Sequence, residues 1–175
     1  MSDVSDTKAL RFSLGQFATG VTVVTTADSA GRPFGLTVNS FASVSLNPPL
    51  VLWSLARATS CLDAFLKCRH FAVNVLAIDQ AGISNQFARP DIDKFSNVEW
   101  TAGPEGIPLL ENCSAWFGCR SAAQYDGGDH IILLGEVERH VRSERPPLIF
   151  HGGRYQALGE LPAAPEVAKV KSPMW

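Results

Sequence analysis

GLTVNSFASVSLNPPLVLWS, residues 35–54, is the stretch of the sequence that decides the fold. It alternates as a β-strand does, with apolar side chains on one face: Leu36, Val38, Ala42 and Val44. The other face carries small polar side chains: Thr37, Asn39, Ser43 and Ser45. A half-buried strand normally presents charged residues to water, yet none occurs between Arg32 and Arg57. We therefore expect this face to be covered, either by a second subunit or by a ligand.

The residues around this stretch predict a chain dominated by strands. Residues 21–26 form a strand that leads through the loop ADSAGRP into strands beginning at Phe34 and, after the break NPP, at Leu50. HFAVNVLA is the next strand, SAWFGCRSAAQY and HIILLGEVERHV flank the hairpin turn DGGD, and LIFHGG and RYQALG form a last pair. Trp53 and Trp116 are expected in the core. This order favours an antiparallel barrel or sandwich over a doubly wound parallel sheet.

Three short helices are predicted at the periphery of these strands. The first has Asp6 as its N-cap and Gly20 as its stop, with an apolar face made of Ala9, Leu10, Phe12, Leu14 and Phe17. The second is capped by Ser60 and runs through Lys67, and the third covers residues 79–87.

Length, charge and cysteine spacing narrow the class of protein. We expect one domain over residues 1–158, followed by a Pro- and Ala-rich tail, residues 159–175. A net charge of −2 with scattered basic residues argues against nucleic-acid binding. The four cysteines show no metal-ligand spacing and are expected to be reduced, mostly buried thiols. A polar N-terminus unlike a signal peptide and the lack of a long apolar run predict a cytoplasmic protein.

The sequence carries none of the common motifs of dinucleotide binding or hydrolysis. It has no GxGxxG after a strand, no P-loop, no GxSxG and no HExxH. The four histidines lie far apart in the sequence. We therefore predict neither a metal site nor a catalytic triad.

One turn of the chain has the features of an anion site. The segment WSLARATSCLDAF joins a predicted strand to the helix that starts near Ser60, and a helix N-terminus presents free N–H groups and the positive end of its dipole. Arg57, Thr59 and Ser60 add a cation and two hydroxyls there. A flavin nucleotide requires a site for its flat ring next to a site for its phosphate, and the uncharged face of residues 35–54 together with this turn would provide both. Ser60 is also explained as a plain helix cap, which does not exclude phosphate binding.

Five segments occur in the order in which flavin reductases have them: FATGVTVVTT, GLTVNSFASVSLNPPLVLWSL, FAVNVL, GDHIILLGEV and PLIFHGGRYQAL. The chain resembles, over about residues 9–158, the small NAD(P)H:flavin oxidoreductases that serve two-component flavin-dependent monooxygenases. The resemblance implies a mainly β, FMN-binding split β-barrel of Greek-key type and a homodimer with flavin near the subunit interface. It also implies that FAD or FMN is reduced by NADH or NADPH and passed to a partner monooxygenase.

The resemblance also implies which residues bind, segment by segment. The isoalloxazine ring would meet Thr37, Val38, Asn39 and Ser40. The ribityl phosphate would meet Ser54, Leu55, Ala56, Arg57 and Ser60. The rest of the flavin nucleotide would meet the end of the third helix: Ser84, Asn85, Gln86, Phe87, Ala88 and Arg89. The nicotinamide side would be lined by His130, the catalytic candidate, and by His151, Gly152, Arg154 and Tyr155.

Some of these assignments have a second explanation. His130 is also explained as an exposed turn histidine, His151 as a structural strand end, and Arg154 and Tyr155 as residues that close the barrel. Hydride transfer is chemistry that the cofactors carry themselves, so it requires no nucleophile or base and agrees with the missing motifs. A flavoprotein that keeps FMN and reduces another substrate, such as a corrin, and a flavin-binding module without turnover are alternatives.

Overall fold

The structure, a computed structural model, describes residues 6–90 and 92–160 and is mainly β, as predicted. The strands are β1 (Thr19–Gly20), β2 (Thr22–Ala27), β3 (Pro33–Val38), β4 (Ala42–Leu46), β5 (Pro49–Ala56), β6 (His70–Val75), β7 (Trp100–Ala102), β8 (Pro108–Leu110), β9 (Ala115–Gly127), β10 (His130–Arg142), β11 (Ile149–His151) and β12 (Arg154–Gln156). The α-helices are α1 (Thr7–Leu14), α2 (Leu62–Lys67) and α3 (Ala81–Ala88). Most of the predicted tail lies outside the described residues.

One seven-stranded antiparallel sheet, in the order β3-β2-β6-β9-β10-β5-β4, forms the body of the fold. Its two edge strands, β3 and β4, are separated in the chain by only Asn39, Ser40 and Phe41. Seven strands laid flat would span about 29 Å, whereas the four Cα steps of this link reach about 14 Å at most. The sheet must therefore roll until its edges meet. We call the resulting boundary between β3 and β4 the seam.

The interior of the rolled sheet is a continuous apolar core. β5 alternates so that Val51, Trp53 and Leu55 are buried while their neighbours are partly exposed. Val24 of β2 and Phe71 of β6 belong to the same cluster, although β2 and β5 are not neighbours in the sheet. Residues from distant strands meet in this way because the sheet encloses them. The predicted barrel is thus the form that the sheet takes.

A glycine on β10 makes room for the aromatic residues of this core. A Cβ on Gly135 would lie 2.4 Å from the ring of Phe71. Phe71 packs edge-on against Trp53 with 5.9 Å between ring centroids, and Phe65 does so at 5.1 Å. Trp53 is therefore a core residue as predicted, whereas Trp116 is half-buried against a small separate cluster.

The first helix begins as predicted but ends earlier. The carboxylate of Asp6 accepts hydrogen bonds from two N–H groups of the first turn, at 3.1 and 3.0 Å. The helix ends at Leu14 with Gly15 as its C-cap, so the predicted stop at Gly20 is wrong. The reason is that Gly20 belongs to β1, which pairs with β11. None of the residues of α1 is buried, and Phe12 is 72% exposed.

The second helix begins later than predicted. Its N-cap is Cys61, and no side chain caps it. The N–H of Thr59 bonds to the carbonyl of Ala56 at 3.2 Å, and the N–H of Leu62 bonds to that of Thr59 at 3.3 Å. These two turns carry the chain past Ser60 before the helix starts, so the predicted cap by Ser60 is wrong.

Four strands were not predicted: β1, β4, β7 and β8. The stretch around the seam reads as one alternating strand, but Asn39, Ser40 and Phe41 divide it into two. In β4 a register shift between Ser43 and Ser45 breaks the alternation against β5. The other three strands have only two or three residues each, too few for a period to show.

The four cysteines are free thiols, as predicted, and all but Cys68 are buried. Burial raises the pKa of Cys113 and of Cys119 to about 12 each. None of the described helices is long and apolar enough to cross a membrane.

Candidate functional site

A cleft of about 420 Å³ opens where α1 ends, between that helix, β1, β11 and the seam. Its volume lies within the range of small-molecule sites, about 300–1,000 Å³. We call it the α1 cleft. It is lined by Arg11, Leu14, Gly15, Phe17, Thr19, Asn39, Ser40, Phe41, Ala42 and Phe150.

The α1 cleft combines aromatic rings with small polar side chains. Phe41 is held by stacking on Phe117 at 5.7 Å between ring centroids, and Phe150 packs on Tyr155 at 5.8 Å. Asn39 and Ser40 contribute polar groups from the seam. Apolar walls with a few polar groups are what a flat heteroaromatic ring with carbonyl and imino edges requires.

Thr19 supplies a polar atom that the protein leaves without a partner. Its Oγ1 is buried and has no hydrogen-bond partner within the described residues. Such a hydroxyl costs about 1–3 kcal/mol unless something satisfies it. That oxygen is enclosed by the protein, so a ligand with a polar edge in the α1 cleft would satisfy it only on a local shift of the wall that carries Thr19. Thr19 was not predicted, because the sequence pattern places it inside a helix that ends at Gly20.

Only part of the segment predicted to meet the ring lines the α1 cleft. Asn39 and Ser40 line it, and Ser40 is fixed to β5 because its Oγ accepts the N–H of Ser54 at 2.9 Å. Val38 packs against the barrel core instead. Thr37 donates its hydroxyl hydrogen to the carbonyl of Ser84 at 2.7 Å.

Thr37 belongs to a second group of predicted residues, joined by hydrogen bonds. The hydroxyl of Tyr155 lies 2.8 Å from Oγ of Ser84 and 2.9 Å from Oδ1 of Asn85, and Ser84 is fully buried. Tyr155 is opposite Phe150 in the β11–β12 register. Phe150 lines the α1 cleft, so this group supports one of its walls.

The other residues at the end of α3 that were predicted to bind the flavin nucleotide do not line the α1 cleft. The amide of Gln86 donates to two carbonyls of the following loop, each at 2.9 Å. Phe87 is fully buried in an apolar cluster, and Ala88 and Arg89 are exposed where the helix ends.

A third group surrounds residues 126–130, which we call the β9–β10 turn. Nη2 of Arg57 lies 2.7 Å from Oδ1 of Asp126, and Nε of Arg57 donates to the carbonyl of Gly128 at 2.9 Å. The hydrogen bond from Arg57 is the main reason why the pKa of Asp126 is lowered. Ala56 is opposite His130 in the β5–β10 register.

His130 is held by its neighbour in sequence. Its Nδ1 lies 2.7 Å from Oδ1 of Asp129, and this hydrogen bond is the main reason why the pKa of Asp129 is lowered. The positive charge of Arg11 lowers that pKa further. Arg11 also lines the α1 cleft, so its positive charge acts on both the cleft and the β9–β10 turn.

Two residues predicted to meet the phosphate are placed elsewhere. Leu55 is buried in the barrel core, which leaves only its backbone for a ligand. Ser60 lines a different and larger groove of about 590 Å³, where Lys67 is already paired with Asp63 at 2.7 Å. Among the residues predicted to meet the phosphate, Arg57 is therefore the positively charged side chain that can still bind it.

The turn between β11 and β12 docks on the end of α1. The N–H of Gly152 donates to the carbonyl of Gly15 at 2.8 Å. Gly152 has φ 56°, in the left-handed region that favours glycine. His151 and Arg154 are opposite each other in register beside this turn. Among the described residues, no three His, Cys, Asp or Glu side chains are grouped to hold a metal ion.

A family match covers nearly all of this structure. Residues 14–159 match the flavin reductase like domain. The chain therefore belongs to the flavin reductase-like family, which confirms the family predicted from the sequence.

Individual relatives agree with this membership. The chain is 47% identical over 150 residues to the FMN reductase (NADH) SmoA of Agrobacterium fabrum, which covers 86% of this chain and 85% of that protein. It is 44% identical over 155 residues to the reductase component of the flavin-dependent trigonelline monooxygenase of Acinetobacter baylyi, covering 89% of this chain. This chain spans half the length of the Acinetobacter protein.

A solved structure shares the fold. The NADH:FAD oxidoreductase SgcE6 of Streptomyces globisporus, in complex with NAD and FAD fragments, superposes with a TM-score of 0.87 at 40% identity. The match covers 91% of this chain and 96% of that one. The predicted fold class is confirmed.

Proposed function

We propose that this chain is an NADH-dependent flavin reductase whose α1 cleft binds the flavin ring. It takes up FMN or FAD, transfers a hydride to it from NADH, and releases the reduced flavin to a partner monooxygenase. The names of the relatives support this proposal, since they include FMN and FAD reductases that use NADH and a monooxygenase reductase component. A cytoplasmic location remains a prediction.

The observation that carries the proposal is the α1 cleft, in which polar groups of Asn39 and Ser40 lie beside the rings of Phe41 and Phe150. A flavin ring has polar edges and flat apolar faces, and this cleft offers polar groups beside rings. The flavin and the nicotinamide supply the hydride chemistry when bound. The residues of the chain therefore need only to bind, orient and shield the reactants. Thr19, Asn39 and Ser40 orient the ring, while Phe41 and Phe150 exclude water from it.

His130 is assigned to the nicotinamide side. Because Asp129 accepts from Nδ1, neutral His130 carries its proton there and presents Nε2 as an acceptor. An acceptor at this position suits the amide N–H of a nicotinamide. Asp129 thereby keeps the imidazole in one orientation.

Replacing Thr19 with Val tests the ring assignment. The variant removes an unpaired hydroxyl and keeps the shape, so the free energy of unfolding should not fall. Binding of FMN, FAD and riboflavin should weaken alike, by about tenfold for one lost hydrogen bond. Thr22→Val is the matched control, because the Thr22 hydroxyl donates to Val38 at 3.0 Å and its loss should cost about 1 kcal/mol of stability. Unchanged flavin affinity in Thr19→Val would place the ring elsewhere.

Steady-state oxidation of NADH and of NADPH with added FMN, FAD or riboflavin tests the activity. We expect turnover that depends on free flavin and is faster with NADH. No oxidation with any flavin would contradict the enzyme assignment. A protein that stays yellow after dialysis would instead indicate FMN kept as a prosthetic group.

Arg57 is assigned to the flavin phosphate. Arg57→Ala should weaken FMN about ten- to a hundredfold, as for the loss of a charged hydrogen bond, and leave riboflavin nearly unchanged. Equal losses for both ligands would contradict this assignment.

A homodimer is also part of the proposal. Apolar side chains lie open on α1, on the link that follows it and on β4, with Phe12 72%, Phe17 79% and Leu46 70% exposed. A second copy would cover them, since exposed apolar patches mark association surfaces. Sedimentation at micromolar concentration should show a dimer, and a monomer with flavin present would contradict it.

A further inference from the structure

Arg57, which the proposed function assigns to the flavin phosphate, is already bound by a carboxylate of its own chain. Nη2 contacts Oδ1 of Asp126 at 2.7 Å, and Nε donates to the carbonyl of Gly128 at 2.9 Å. Nε and Nη2 form the side edge of the guanidinium, an edge that binds carboxylates and phosphates with two parallel bonds. The β9–β10 turn occupies that edge, which leaves the end edge with Nη1 for a ligand.

Asp126 is fixed in this position. Its Oδ1 also accepts the N–H of Gly128 at 3.2 Å, and the backbone N–H of Arg57 donates to the carbonyl of Asp129 at 2.9 Å. The β9–β10 turn and the end of β5 thus form a closed set of contacts. Both charges face water, with the side chains of Arg57 and Asp126 45% and 79% exposed. An arriving phosphate therefore meets a cation with a negative charge directly beside it.

We propose that Asp126 is a specificity-determining residue that weakens the binding of phosphate-bearing flavins. Its carboxylate competes with the flavin phosphate for Arg57 and repels the phosphate by like charge. Arg57 can then distinguish phosphorylated flavins without holding them tightly, which suits a protein that must release its reduced product. This inference rests on the proposed function, because it requires the phosphate to reach Arg57.

The test removes the charge and keeps the hydrogen bonds. Asp126→Asn retains an acceptor oxygen for Arg57 and for Gly128. We expect it to bind FMN about three- to tenfold more tightly at low salt, with riboflavin within about twofold of the wild type. Because charges at an exposed site are screened, the gain should shrink at about 0.5 M salt.

Asp79→Asn is the matched control, because it removes one negative charge from a different exposed pair, that of Asp79 with Arg145. It should leave the affinities for both flavins unchanged. Equilibrium titrations of FMN and riboflavin into the full chain and the variants provide the measurement.

Each outcome separates this inference from the proposed function. If Asp126→Asn binds FMN no better than the wild type, or if FMN and riboflavin change alike, the inference is overturned. If Arg57→Ala leaves the ratio of FMN to riboflavin affinity unchanged, the phosphate assignment fails and this inference fails with it. If Arg57→Ala lowers that ratio while Asp126→Asn has no effect, only the inference fails.

Discussion

The hydroxyl of Tyr155 should contribute more to stability than its partial exposure indicates, because it satisfies a buried group. It lies 2.8 Å from Oγ of Ser84, which is fully buried. Tyr155→Phe removes the hydroxyl that Ser84 and Asn85 share, a hydrogen bond worth about 1 kcal/mol net, and leaves the Ser84 hydroxyl without this partner at a cost of about 1–3 kcal/mol. The two contributions overlap, so we expect the free energy of unfolding to fall by about 1.5–3 kcal/mol in total. For a chain of this size the melting temperature would fall by about 3–12 °C.

Urea unfolding of the ligand-free protein is the assay, and the chain provides its own control. Its only other tyrosine, Tyr125, is 56% exposed, and Tyr125→Phe should change stability by less than about 0.5 kcal/mol. Ser84→Ala removes the hydroxyl that loses its hydrogen-bond partner in Tyr155→Phe. In the double variant the two losses should therefore not add, and the coupling should be about 1 kcal/mol.

Additive losses in this cycle, or an equal loss in Tyr125→Phe, would refute the reasoning. Riboflavin binding gives a second measurement. The hydroxyl anchors the Tyr155 ring, which packs on Phe150, a wall of the α1 cleft. Tyr155→Phe should therefore loosen this wall and weaken riboflavin, whereas Tyr125→Phe should not.

Two further predictions concern the core. Gly135→Ala places a Cβ 2.4 Å from the ring of Phe71 and should cost about 1–3 kcal/mol or prevent folding, whereas Gly82→Ala, with open space around its Cβ, should be neutral or stabilising by up to about 1 kcal/mol. Equal melting temperatures for the two variants would contradict this packing. Cys113 and Cys119, whose pKa values are raised to about 12, should resist alkylation near pH 8 until urea is added. Since unfolded thiols ionise near pH 8.5 and these stay protonated, the free energy of unfolding should decrease above about pH 8.5, and a flat profile from there to about pH 11 would contradict the assignment.

The barrel was predictable because its strands carry local signals. Two of these signals can be recognised without the tertiary structure. They are the alternation of Val51, Trp53 and Leu55 and the Gly-Gly turns of the two late hairpins. The end of α1 was not predictable in this way. Gly15 and Gly20 are both suitable helix stops, and the choice depends on the pairing of β1 with β11, which is distant in sequence.

The α1 cleft was predictable only in part. Asn39 and Ser40 stood out because their stretch lacks charge. Thr19 and Arg11 have no such signal, since they reach the cleft only when α1 ends early and β1 pairs with β11. The cation of Arg11 also shows that the cleft is less neutral than the sequence indicated.

The seam between β3 and β4 determines where the protein opens first. β3 and β4 are each paired on one side only, whereas β9 is paired on both sides over residues 115–120 and β10 over residues 130–136. Amide hydrogens on β3 and β4 should therefore exchange with deuterium through small local fluctuations, while those of the doubly paired parts of β9 and β10 exchange only when the whole barrel unfolds. The α1 cleft lies at the seam, so a ligand bound there would slow exchange in β3 and β4 far more than its few contacts suggest. Slowed exchange in these two edge strands would then reveal that the cleft is filled, even for a ligand that undergoes no reaction.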